Sequence, residues 1–206
     1  MACATMTAMN HLAHALIAGD DPELLLGGML GDFWRGAPAA HWPAAVQAGV
    51  RLHRKTDVYT DSHPQIAGAR ALFAPPLRRY SGIILDVYFD HLLARDWQQH
   101  ASEPLDRLSA RMSAVLDANR DWLPPRLNRF AEYFDAAGLF AGYAQRAAIE
   151  RVLAGIGQRL TRTNPLAQAG PELWSREREL EAAFAAFFPE LMAYAARGRA
   201  ELLHET

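Results

Sequence analysis

His53 and Asp57 stand four residues apart in the segment Arg51-Leu52-His53-Arg54-Lys55-Thr56-Asp57. On a helix that spacing puts an imidazole and a carboxylate on one face, a common way of presenting two ligands to a divalent metal. The same spacing also serves an exposed, charged helix face. Asp86 and Asp90 repeat it within residues 83–93, a stretch that is apolar nearly all round, with His91 next in line. Two carboxylates on a buried helix lose hydration and repel each other, so a metal ion or an arginine pair is needed to compensate. The alternative is a narrow solvent-facing stripe of acids, with His91 in the core or at its boundary. Asn10 and His14 form a third i, i+4 pair, which would also suit a polar helix face with no further role. Asp32 follows Gly27, Gly28 and Gly31. Each glycine costs about 1 kcal/mol against alanine inside a helix. Close helix packing is the expected reason, and it would leave Asp32 in a tight interior in need of a partner. No Gly-Lys-Ser/Thr follows, so this is not a phosphate-binding P-loop.

A basic segment overlaps these candidates. Residues 46–80 hold Arg51, Arg54, Lys55, Arg70, Arg78 and Arg79 against Asp57 and Asp61, a net charge of +4 in a chain whose total is -2. A basic patch beside metal-competent side chains is what an anionic phosphate substrate requires.

Helices must position these residues. Apolar residues recur at three- and four-residue spacing along almost the whole chain, and strand-like alternation is nearly absent. Asp21-Pro22-Glu23 reads as an N-cap with proline at the first helical position, and Ser62-His63-Pro64 and Gly170-Pro171-Glu172 punctuate in the same way. The spacing predicts nine helices, over residues 9–18, 22–35, 43–60, 64–73, 76–97, 103–120, 125–136, 139–161 and 171–203. With short connections and no low-complexity linker, they predict a compact, all-α multi-helix bundle. The second half of the chain, with Arg176-Glu177-Arg178-Glu179 and helically spaced Phe184, Phe187, Phe188 and Tyr194, reads as scaffold.

Composition excludes other classes. The chain has 206 residues, 50% of them hydrophobic and 21% charged, as in an ordinary globular domain. Its one cysteine, Cys3, excludes an internal disulfide framework or a Cys-rich zinc module. Near-neutral charge argues against a polybasic nucleic-acid binder, and no apolar run is long enough to span a bilayer. No basic residue precedes Leu12, so the start does not read as a secretory signal and the expected location is the cytoplasm.

Four helices would each bring one or two metal-competent side chains, as helical bundles do when they build metal sites. Paired Glu-x-x-His motifs of di-iron bundles are absent, and the residue types match HD-type phosphohydrolases better. The segments Met9-Asn10, Leu12-Ala13-His14, Gly31-Asp32-Phe33, Gly49 to Asp57, Thr60-Asp61 and Leu85-Asp86 to Asp90-His91 resemble those of the acyl carrier protein phosphodiesterase family, a divergent relative of the HD phosphohydrolases. The likeness runs over roughly residues 9–196. The family pattern begins at its Met-Asn motif, which makes residues 1–8 an extension and residues 9–206 a single hydrolase domain. His11 stands where the family usually has an aromatic, so no function is carried onto it.

The resemblance implies hydrolysis of the phosphodiester that joins 4′-phosphopantetheine to holo-acyl carrier protein. It also implies a divalent metal, manganese first, with magnesium or iron as alternatives. Asp32, His53, Asp57, Asp86, Asp90 and His91 become the candidate ligands. His14 or His63 becomes the candidate proton donor to the leaving oxygen, and Arg51 or Arg54 the phosphate clamp. Asn10 and Asp61 join the catalytic candidates through their motifs. Carrier proteins are acidic, which makes Arg54, Lys55, Arg78 and Arg79 the expected docking charges. Nucleic acid and membrane are not expected partners, and the oligomeric state is left open. Two other readings share these residues: an HD-like hydrolase of a nucleotide or other small phosphoester, and a non-catalytic carrier-binding helical module.

Overall fold

Asp21 starts the helix that carries Asp32. Its side chain accepts from the backbone N–H groups of Glu23 and Leu24 at 2.9 and 3.0 Å, and Pro22 occupies the first helical position. Such a cap satisfies donors that a helix start otherwise leaves open. The computed structural model describes residues 11–204. Asn10, Met9 and the 1–8 segment lie outside the described residues.

Eleven α-helices follow one another among the described residues, without a strand: α1 (His11–Ala18), α2 (Pro22–Phe33), α3 (Ala44–Ser62), α4 (Pro64–Ala71), α5 (Ser81–Arg95), α6 (Leu105–Ala118), α7 (Pro125–Ala137), α8 (Leu139–Gly142), α9 (Arg146–Arg159), α10 (Gly170–Ser175) and α11 (Glu177–His204). The all-α class expected from the spacing is the class observed. Several helix ends fall within one or two residues of the expected ones, and three predicted helices differ in their division. Residues 139–161 divide into α8 and α9, because Tyr143 turns into the core, fully buried, and its carbonyl accepts a hydrogen bond from His91. Residues 171–203 divide at Arg176 into α10 and α11. Residues 76–97 begin with a 3-10 turn, Leu77–Tyr80, before α5.

The contact between α2 and α3 sets the geometry of the site. A methyl group at Gly27 would lie 2.1 Å from the Val46 carbonyl oxygen, and one at Gly49 would lie 2.4 Å from that of Leu24. The two backbones therefore touch with no side chain between them, as the glycine cost implied. Contacts advance together along both helices, from Leu24 with Gly49 to Gly31 with His53. The helices thus run side by side in the same sense, and loop 34–43 carries the chain back. Arg54 holds that loop, donating to the carbonyls of Trp34 and Gly36 at 2.8 and 2.6 Å.

Helix α5 crosses the interior. Eleven of its fifteen residues are buried, including Tyr88, Asp90 and His91. Helix α11, 28 residues long, covers α3 and α4 and continues through Pro189. One cluster of buried apolar side chains draws on every helix. No helix among the described residues is long and apolar enough to cross a membrane.

Candidate metal centre

Three helices bring a compact His–Asp cluster together. His14 comes from α1, Asp32 from α2, and His53 and Asp57 from α3. His14 Nε2 lies 3.1 Å from one Asp57 oxygen, and His53 Nε2 lies 3.2 Å from the other. The two imidazoles stack with centroids 3.7 Å apart. Asp32, its side chain only 5% exposed, has one oxygen 3.5 Å from His53 Nε2 and the other 3.3 Å from His11 Nδ1. Gly31 makes room for this, because a methyl group there would fall 2.3 Å from the His53 ring.

The atoms at the centre are short of hydrogen bonds. Both ring nitrogens of His53 and His11, Nδ1 of His14 and both oxygens of Asp32 are buried without one. Buried polar groups are seldom left so, and leaving one unmade costs about 1–3 kcal/mol. Ligand atoms of His14, His53 and Asp57 lie within 4.8 Å of one another. Imidazole nitrogens and carboxylate oxygens that converge in this way, with unmade hydrogen bonds around them, form a donor set suited to a divalent transition metal. The residues present fit such an ion.

The electrostatics agree. Burial alone would push His53 down, yet Asp32 and Asp57 overcome it and raise the imidazole to about 10. Burial would raise Asp32, but His53 and His11 hold its carboxyl well below the usual range. Asp57 behaves likewise between His14 and His53. His14 is lowered by burial and by His53 beside it, against the pull of Asp57. Two carboxylates here call for positive charge, which protonated imidazole supplies in the absence of metal.

The remaining candidates take no part in these contacts. Asp90 is fully buried and accepts from the backbone N–H groups of Leu12 and Ala13, both at 3.0 Å, so each of its oxygens anchors the start of α1. Burial raises its carboxyl to about 8 even against these two donors. His91, one residue on, points to another side of α5, where its Nδ1 donates to the Tyr143 carbonyl at 2.7 Å among Tyr88 and Trp174. His63 caps α4, its Nδ1 accepting from the Gln65 N–H, while Nε2 faces Glu190 at 3.3 Å. Arg51 precedes His53 by two positions, which turns it about 200° around α3 and away from the cluster. Asp61 is exposed and paired with Arg70 at 2.6 Å. Asp86 is half-buried. It lines a narrow cleft with Ala13, Thr60, Asp90, Phe89 and Phe187. Burial raises its carboxyl well above the usual range, Asp57 adding to this and Arg70 opposing it. His11, to which no role was given, is the residue sequence reasoning passed over. Its position three before His14 on one helix was the available signal.

The fold and cluster thus define an all-α protein with a buried His–Asp cluster whose His14, His53 and Asp57 could hold a metal ion. A family model described as acyl carrier protein phosphodiesterase matches residues 9–191. A protein of that name from Serratia proteamaculans is 37% identical over 188 residues, covering 91% of this chain and 97% of its own. Those from Salmonella dublin and Salmonella agona are 36% and 35% identical over 190 residues, at 92% and 98% coverage. The chain belongs to the acyl carrier protein phosphodiesterase family. No solved structure matches it.

Proposed function

We propose that the protein hydrolyses the phosphodiester between 4′-phosphopantetheine and the serine of holo-acyl carrier protein. Water oxygen bonds to phosphorus, the bond from phosphorus to the serine oxygen breaks, and that oxygen takes a proton. The products are apo-carrier and 4′-phosphopantetheine. The observation that carries this reading is the convergence of His14, His53 and Asp57 in a chain that matches the family over most of its length. These three residues would hold a divalent ion, with Asp32 adjoining. Manganese is our first assignment, on the family resemblance alone, with magnesium or iron as alternatives, because a mixed imidazole and carboxylate set accepts several divalent metals. Such an ion supplies Lewis-acid polarisation of the phosphoryl group and activates water near neutral pH.

The chain's own residues do the positioning. Asp57 orients His14 and His53 together, Asp32 braces His53 and His11, and Asp90 fixes the start of α1. Asp86 borders the cleft beside this cluster. The test is mass spectrometry of holo-carrier protein incubated with the manganese-loaded protein. Loss of the phosphopantetheine mass is expected, and Asp57→Ala and Asp86→Ala should each abolish it while helical circular dichroism persists. Nucleotide hydrolysis without that mass loss would replace this reading with the small-phosphoester one.

A further inference from the structure

We infer that Arg70 is the arginine that binds the phosphoryl group of the substrate, an inference that rests on the phosphodiesterase reading. Arg70 lies in the last turn of α4, with its guanidinium against Gly82 in the first turn of α5. A methyl group at position 82 would stand 3.4 Å from Nη2. Nη2 donates to Asp61 at 2.6 Å, and Asp61 follows Asp57 by one turn on the same face of α3. Asp86, one turn after Gly82, feels both Asp57 and Arg70. Asp61 thus ties Arg70 to α3 one turn beyond Asp57, and Gly82 sets it one turn of α5 before Asp86, which lines the cleft.

Its hydrogen bonding is incomplete. Asp61 takes the only hydrogen bond the guanidinium makes among the described residues, and the side chain is 35% exposed, so donors other than Nη2 and the buried Nε remain for a ligand. A guanidinium held at one nitrogen with donors to spare suits bidentate capture of a phosphoryl group. The need for it follows from charge: the carboxylates Asp32, Asp57 and Asp61 lie along α2 and α3 around the cluster, and they repel an approaching phosphodiester anion.

Other basic residues of the segment are placed for other tasks. Arg54 is taken up by the carbonyls of Trp34 and Gly36, Lys55 pairs with Glu201, and Arg51 faces the far side of α3. Arg78 and Arg79 are exposed on the turn before α5, where they suit a protein partner.

The test uses full-length, manganese-loaded wild-type, Arg70→Ala and Arg70→Lys proteins, with inorganic phosphate as the equilibrium probe in calorimetry and holo-carrier protein as substrate. Arg70→Ala should weaken phosphate binding, and lower kcat/KM, by about 10- to 100-fold. Manganese stoichiometry should be unchanged, and added guanidinium ion should restore part of the loss. Arg70→Lys, which keeps the charge and loses the fork, should fall between, and it decides the matter if Arg70→Ala does not fold. Unchanged phosphate affinity in the folded variants, or loss of activity without guanidinium rescue, would reduce Arg70 to a counter-ion for Asp61 and overturn the inference. Failure of the wild-type protein to release phosphopantetheine would instead overturn the phosphodiesterase reading, and phosphate calorimetry would still decide for or against Arg70.

Discussion

His53 is both a metal-competent ligand and, without metal, the cation that balances Asp32 and Asp57. Its imidazole is raised from 6.5 to about 10 in the folded chain. A group raised on folding adds stability that is complete below its unfolded value and is lost as pH climbs through the folded one. The melting temperature of metal-free protein should therefore fall between about pH 6.5 and pH 10, and His53→Gln should flatten that slope. An equal slope in both proteins would assign the titration elsewhere. Metal analysis provides the second check at this scale: Asp57→Asn should purify folded with its manganese content reduced at least tenfold, roughly the loss of one charged ligand interaction. The i, i+4 pair of His53 and Asp57 was legible because helical period alone brings the two side chains to one face. Asp32 was legible in part, through the glycines that precede it. The attachment of Asp90 to α1 was not, since it joins residues 77 and 78 positions apart and local spacing carries no record of it.

Helices decide how closely the ligands meet. Gly27 and Gly49 let α2 and α3 touch, and Gly31 gives the His53 ring its place. Gly27→Ala forces a methyl into the Val46 carbonyl, and the overpacking should cost about 1–3 kcal/mol in denaturant unfolding. Gly31→Ala should act differently: the ring must move, so manganese affinity falls more than stability does. If calorimetry finds unaltered affinity in a folded Gly31→Ala protein, the ring is not held where the fold places it. Caps and prolines made the starts of α2 and α4 readable, because those signals act over three or four residues. The break between α8 and α9 carried no such signal. Tyr143 is drawn into the core and bonded by His91, and that tertiary contact outweighs the helical propensity of the surrounding residues.

At the scale of the molecule, the charge of -2 averages a basic segment, residues 46–80, with an acidic remainder. Arg78 and Arg79 are exposed on the turn before α5, and they are the docking charges we propose for an acidic carrier protein. Arg78→Glu combined with Arg79→Glu should raise KM for holo-carrier protein, most at low ionic strength, and leave manganese content unchanged. Equal KM at low salt would remove these residues from the docking surface. The basic segment was visible in the sequence, but its division of labour was not, because partners such as the Trp34 carbonyl or Glu201 come from other parts of the chain. The anchoring of α1 by Asp90 bears, finally, on the order in which the protein is made. His11, His14, Asp32, His53 and Asp57 are all made before residue 90, yet the carboxylate that fixes the start of the helix carrying His11 and His14 belongs to α5. A nascent chain ending at residue 80 would hold all five residues and still lack the anchor of α1, so the site is braced late in synthesis although it is encoded early.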